Sequence, residues 1–289
     1  MATVRTAKKL LLGKEIEHMI TTAGKTQEEA AGLIETSQSR VNGLIDGRGS
    51  ISVGDLERLA NKLGFTDPGY QEALLELRRE NCKRGFWSTG YRRAYREEIR
   101  LLIDLEQHAD RIRSVAVEIM PGLVQCEPYV RALYADAPDE NGLNLDDLVE
   151  ARIARQDIFG KSDPPNVHFV LSESCLRRAW GNAAVMREQI NHLIKLSNQQ
   201  SVMIQVMPFD APPGRRSPIG DRFVLIRVPS PGVAGPLELA YAERVGEIRY
   251  VDDKNALMAH DIAWTRLSTA ALSFEDSRRF MGRVAQDFR

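Results

Sequence analysis

The chain has 289 residues, enough for roughly two domains, with 39 Lys/Arg against 40 Asp/Glu and a formal net charge of −1. Hydrophobic residues at 43% and charged residues at 27% are globular values that exclude a disordered or fibrous chain. No run approaches the roughly eighteen apolar residues of a membrane-spanning helix, and the near-zero charge requires any affinity for nucleic acid to come from a local patch.

The first residues, Met1 to Lys9 and then a short leucine run, lack the apolar core expected of a signal peptide. Lys8 to Ala23 places Leu12, Ile16, Met19, Ile20 and Ala23 on one helical stripe, with Gly24 as its stop. Thr26-Gln27-Glu28-Glu29 is a capping box that opens a second helix with Ala30, Ala31, Leu33 and Ile34 inward. Thr36-Ser37 caps a third, Gln38 to about Asp46, whose apolar positions are Val41, Leu44 and Ile45. Ser52 to Asp55 opens a fourth with Val53, Leu56, Leu59, Ala60 and Leu63 inward, closed by Gly64. These helices predict a domain over residues 1–66.

A helical, increasingly basic linker is expected over 67–110; residues 78–100 hold eight Lys/Arg against three Glu. Trp87, Tyr91 and Tyr95 recur there at i, i+4, i+8, the spacing of a stripe on one helix face. The remainder, 111–289, reads as α+β. Strands are expected at 114–119, 167–171, 202–207, 223–228, 237–241 and 247–251. Helices are expected at 127–134, 146–159, 183–196, 254–267 and 274–288, and a proline-rich loop at 210–220. Pro121-Gly122-Leu123 reads as a helix-entry turn, and with Gln125 and Tyr129 as a candidate ligand- or partner-binding element. The fold class is therefore α+β, an all-α N-terminal bundle followed by a larger mixed domain.

Counted from Gln27, the second and third helices meet the spacing rules of a helix-turn-helix unit. Small residues, Ala30 and Ala31, stand where the helices cross, and Ile34, Val41 and Leu44 fill the wedge between them. The outward face of the third helix then presents Gln38, Ser39, Arg40 and Asn42, groups able to reach base edges and phosphates. Thr26, Gln27 and Ser37 sit at helix starts, where free amides favour a phosphate oxygen, and Lys25 and Arg48 add positive charge. Residues 1–65 hold nine Lys/Arg against eight Asp/Glu, so affinity per subunit should be modest. A homodimer on paired half-sites about 34 Å apart would compensate.

Residues 8–64 resemble an Xre/Cro-type helix-turn-helix domain. The rest of the chain is similar to the C-terminal region of the actinobacterial WhiJ-like regulators. That resemblance rests on Trp87 to Tyr91, Met120 to Gln125 with Tyr129, Ala151 to Gln156, Ser172 to Arg178, Met186 to Ile190 and Val202 to Phe209. It implies a cytoplasmic transcriptional regulator, antitoxin-like and paired with a small BldB-like protein. An alternative it leaves open is an interaction protein whose DNA binding serves autoregulation. Three positions depart from the pattern: Glu35 where Gly is common, Gly43 where Arg is common, and Ile45 where Glu is common. Glu35 must accept a left-handed backbone, at about 1 kcal/mol or more, or belong to a longer turn.

The second domain is expected to sense a small-molecule effector, dock a partner, or simply dimerise. An enclosed apolar pocket would distinguish a sensor from a platform. Catalysis is not expected: the five histidines show no metal-ligand spacing, and no nucleophile elbow, P-loop or dinucleotide fingerprint occurs. Neither a cofactor nor a metal is called for. Cys82, Cys126 and Cys175 lie far apart and read as free thiols of a reducing compartment.

Overall fold

The computed structural model describes residues 5–80, 91–135, 144–210, 220–244 and 247–288, without the side chains of Arg92 and Arg93. They form two compact units, one of which combines the N-terminal helices with Val228–Leu237. The fold is α+β, as the patterning requires.

The N-terminal unit holds α1 (Ala7–Thr22), α2 (Gln27–Leu33), α3 (Gln38–Ile45), α4 (Val53–Lys62) and α5 (Pro68–Glu80). The first four begin in the same way. Hydroxyls of Thr6, Thr26, Ser37 and Ser52 accept the amides of Lys9, Glu29, Arg40 and Asp55 at 3.0–3.3 Å. Glu29 also accepts from the Thr26 amide at 2.8 Å, completing the capping box. The core contains Leu11, Ile16, Met19, Ala30, Val41 and Leu59, all essentially without solvent contact. Val53, expected inward, is instead 37% exposed at the first position of α4, and Ala23 at the end of α1 is only half-buried.

Two features of α1 escaped the periodicity reading. A Cβ on Gly13 would lie 2.2 Å from the Ile45 carbonyl oxygen and 2.7 Å from that of Leu44, so only glycine lets α1 lie against the end of α3. Glu15, 0% exposed, accepts from the Tyr70 hydroxyl at 3.0 Å and the Ser230 hydroxyl at 2.9 Å. The amides of Val233 and Ala234 donate to the same carboxylate, each at 3.1 Å. Burial and the neighbouring Glu15 carboxylate both push the Tyr70 phenol well above its usual range.

The C-terminal unit is built on a six-stranded sheet in the order β3-β2-β1-β4-β5-β6. Its strands are β1 (Arg111–Ala116), β2 (Asn166–Ser172), β3 (Val202–Met207), β4 (Phe223–Val228), β5 (Leu237–Arg244) and β6 (Glu247–Val251). β1, β2 and β3 pair in parallel, whereas β4 is antiparallel to β1 and β6 to β5. Parallel neighbours need crossovers, and the helices provide them: α7 (Glu127–Tyr134), α8 (Leu145–Ala154) and α9 (Glu173–Arg177), then α10 (Ala183–Leu196). α6 (Glu97–His108) precedes the sheet, and α11 (Lys254–Ala270) and α12 (Phe274–Asp287) follow it. Alternation along β2 sends Phe169 and Leu171 into a core shared with Tyr129, Ile190 and Met281. Val170 faces the other way, with Val115, Trp264 and Leu267. His168 lies edge-on to Trp264 at 4.9 Å and meets Gln205 at 2.8 Å; burial lowers its pKa, which marks a core histidine.

Several expectations shift. The first strand begins and ends three residues earlier than 114–119. The helix expected over 146–159 stops at Ala154 and continues as a 3₁₀ turn, Arg155–Gly160. In the linker expected to be helical, the described residues form α5 as far as Glu80, a 3₁₀ turn at Tyr91–Ala94 and α6 from Glu97, and 81–90 lie outside the described residues. Most of the proline-rich loop, like Cys82 and Trp87, lies outside the described residues. Cys126 and Cys175 are buried and unbonded, and burial pushes the Cys175 thiol up to about 12. Among the described residues no helix is long and apolar enough to cross a membrane.

Replacing Gly13 by Ala should separate α1 from the α3 end at a cost of about 1–3 kcal/mol, read from denaturation midpoints. An unchanged midpoint would show that the approach is not constrained. The Thr26 amide, then Lys25 and the Thr26 hydroxyl, lower the Glu29 pKa from 4.5 to about 2. Its stabilising contribution is therefore complete above pH 4.5 and fades as pH falls through about 2. The melting-temperature difference between the native chain and Glu29→Gln should narrow over that window.

Candidate nucleic-acid interface

The turn between α2 and α3 is made by Ile34, Glu35, Thr36 and Ser37. Of the two backbone routes open to it, Glu35 takes the left-handed one, with φ +54°, and among the described residues no other non-glycine does so. The amide of Thr36 donates to the Ala31 carbonyl at 3.0 Å, closing α2, before Ser37 starts α3. This turn points α3 so that Val41 and Leu44 are buried against Ala30, Ala31 and Ile34. Gln38, Ser39, Arg40 and Asn42 are exposed on the same helix. One helix thus divides sharply into an apolar seam and a hydrogen-bonding edge. Gly43 leaves open space beside it, and a Cβ there would touch nothing within 4 Å.

The remaining predicted contacts divide. Arg40 has no ion-pair partner among the described residues, so its guanidinium is available to an external acceptor. Lys25 already pairs with Glu29 at 3.0 Å, and Arg48 with Asp46. Thr26 spends its amide and hydroxyl on Glu29, whose carboxylate therefore occupies the amino end of α2. The Ser37 hydroxyl takes the Arg40 amide at 3.3 Å, and Gln27 is half-buried at the first position of α2. An anion arriving at α2 would meet the Glu29 carboxylate in place, whereas the cap of α3 is the neutral Ser37 hydroxyl.

The candidates of the second domain are only partly brought together. Pro121, Gly122, Leu123 and Gln125 line a cavity of about 240 Å3 in the C-terminal unit. Tyr129 does not: it is 0% exposed in the core beneath, its hydroxyl accepting the Met120 amide at 3.3 Å. Tyr95 is buried and donates to the Ala151 carbonyl at 2.7 Å, while Tyr91 donates to Glu150 at 2.9 Å. Tyr91 lies in the 3₁₀ turn and Tyr95 between it and α6, so these two do not share an α-helical face, and Trp87 lies outside the described residues. The sequence reading passed over the cavity's charged residues, Glu106, Arg152 and Arg155. Their signal was Ala151 to Gln156, where two arginines at i, i+3 stand on an otherwise apolar helix end. Arg155 donates to Glu106 through Nε at 3.0 Å and Nη2 at 2.7 Å, and both side chains are almost wholly buried. Burial opposes the Arg155 charge, and the Glu106 carboxylate more than offsets it, so the guanidinium stays firmly protonated.

Comparison with known protein families agrees with this division. A helix-turn-helix domain model matches residues 11–73, which takes in α2, the turn and α3. Neither curated proteins nor solved structures give a match. A second model covers residues 99–283, more than half of the chain and most of the C-terminal unit. The protein thus carries an N-terminal helix-turn-helix domain and belongs to the family described as domain of unknown function DUF5753.

Proposed function

We propose that this chain is a transcriptional regulator of the WhiJ-like kind. It reads paired half-sites in double-stranded DNA through α3, as a cytoplasmic homodimer without catalytic activity. The DNA-binding head is residues 1–66, the basic helical linker 67–110, and the sensing and dimerising domain 111–289. A small-molecule effector or a small BldB-like protein engages that last domain and shifts the balance between DNA-competent and incompetent arrangements of the two heads. The observation that carries the reading is the exposed row Gln38, Ser39, Arg40 and Asn42, on a helix whose Val41 and Leu44 are locked inside. Gln and Asn pair bidentately with adenine and Arg with guanine, so this row suits the major groove. Arg40 contributes most because its charge is not already satisfied.

Replacing Gln38 and Arg40 together by Ala leaves the buried seam intact. It should weaken gel-shift binding to the chain's own promoter DNA by roughly 30-fold or more, from about 1–3 kcal/mol per lost base contact. Unchanged affinity with native folding would refute recognition through α3. Phosphate contacts predict a second outcome. With Lys25, Arg40 and Arg48 on each of two heads, log K should fall against log salt with a slope of up to about −5. A flat response would refute a phosphate-anchored complex.

A further inference from the structure

The cavity in the C-terminal unit holds a charge that its own walls leave unanswered. Three guanidiniums (Arg152, Arg155, Arg222) and two carboxylates (Glu106, Glu243) line it. Arg155 is committed to Glu106, and Arg222 meets Glu243 at 2.8 Å. Arg152 faces no carboxylate among the described residues. Its guanidinium lies over the rings of Tyr95 at 5.7 Å and Tyr134 at 5.6 Å, and it donates to the Tyr134 hydroxyl. Aromatic rings and a phenol hold a cation in position without neutralising it. Among the described residues the cavity therefore carries one surplus positive charge, on a planar group whose N–H edge matches a carboxylate.

A second group also lacks a partner. Gln125 is 2% exposed, and its Nε2 donates to the Met120 carbonyl at 2.8 Å, which fixes the amide's orientation. Its buried Oε1 receives no hydrogen bond. An acceptor this far from water requires an N–H or O–H that the described residues do not provide. Gly122 keeps the two arginines close to the turn. A Cβ there would fall 2.6 Å from Arg152 Nη1 and 2.7 Å from Arg155 Nη1.

Most of the other lining residues are apolar, among them Ile112, Met120, Leu123 and Phe169, with Ser114 and Tyr241 as polar neighbours, around about 240 Å3. A cavity of about 150 Å3 holds benzene, so this one suits a body of on the order of ten non-hydrogen atoms.

We propose that the cavity binds a small monocarboxylic acid with a compact aromatic or apolar body. Its carboxylate lies on the Arg152 N–H edge, and an O–H or N–H of the same molecule donates to Gln125 Oε1. A single carboxylate balances the one surplus charge, whereas a phosphate dianion would overshoot it. The proposal deepens the regulator reading and rests on it, in that the acid is then the effector.

The test is calorimetric titration of the full chain with benzoate, 3-hydroxybenzoate, 4-hydroxybenzoate and the neutral benzamide. Saturable one-to-one binding of the acids is expected, with benzamide at least about tenfold weaker. Arg152→Leu should weaken the acids by at least about the same factor, and Gln125→Leu should erase any advantage of a hydroxybenzoate over benzoate. Benzoate against benzamide on the unaltered chain needs no variant, so misfolding of Arg152→Leu cannot mask the result. The proposal is overturned if no acid saturates the site or if benzamide binds as tightly as benzoate. Unweakened binding by a folded Arg152→Leu variant would overturn it equally. A parallel gel shift on promoter DNA without acid separates the two readings. Acid binding without DNA binding removes the regulator and leaves the site, whereas DNA binding without acid binding removes the site alone.

Discussion

Glu15 is a carboxylate with no exposed surface, and α1 can carry it only because surrounding donors replace the water it has lost. Two hydroxyls and two backbone amides do so. The donors come from α5 and from residues 230–234, so the charge gathers distant stretches of sequence around one helix. Gly232 marks how tight the arrangement is: a Cβ there would lie 2.3 Å from the Glu15 carboxylate. Half a turn away along the same helix, Gly13 admits the end of α3. One short segment of α1 thus fixes both the closure of the N-terminal unit and the seat of the helix whose polar edge faces outward. Removing such a carboxylate would strand several buried donors at once, at about 1–3 kcal/mol each.

The helices and strands were legible because they obey local rules. Capping hydroxyls at Thr26, Ser37 and Ser52, glycine stops at Gly24 and Gly64, and alternating apolar residues in the strands each depend on near neighbours. The polar edge of α3 followed from spacing alone, because burying Val41 and Leu44 leaves Gln38, Ser39 and Asn42 only one direction. The 3₁₀ turn at Tyr91–Ala94 ahead of α6 was not legible in the basic run, although Gly85 and Gly90 in that run are poor helix formers. The roles of Glu15 and Gly13 were hidden for a different reason. A buried charge reads as a surface one, and a helical glycine as a weak point, until the chain that packs on them is known. Arg152 and Arg155 show the same limit: three residues apart and alike in sequence, they differ only in what tertiary structure sets opposite them.

That difference gives the cavity its character. A buried pair such as Arg155 and Glu106 gains little over an apolar pair of equal volume, but losing one partner costs about 3–5 kcal/mol. It therefore fixes α8 against α6 rigidly, and this rigidity gives the neighbouring Arg152 a defined position. Tyr95 takes part in both. It lies under the Arg152 guanidinium and donates to the Ala151 backbone at 2.7 Å, so the support of the cation is tied to its own helix. Arg152 is half-buried and meets no carboxylate among the described residues, so a ligand anion would supply the partner they do not.

The charges of the N-terminal unit follow the opposite arrangement. Lys25 and Arg48 are paired within their own segments, and Glu29 already sits at the amino end of α2, which leaves Arg40 as a cation of the polar edge without an ion-pair partner among the described residues. Self-neutralised charges give weak attraction at a distance, because a phosphate must first displace the carboxylate beside each one. The base-facing groups Gln38, Ser39 and Asn42 carry no charge at all. A head of this composition discriminates between sequences by hydrogen bonds more than it clings to DNA in general. Such a head gains affinity chiefly by being paired with a second. In the proposed homodimer the spacing between heads is the natural point of control, because small changes in it cost the second contact while leaving the first intact.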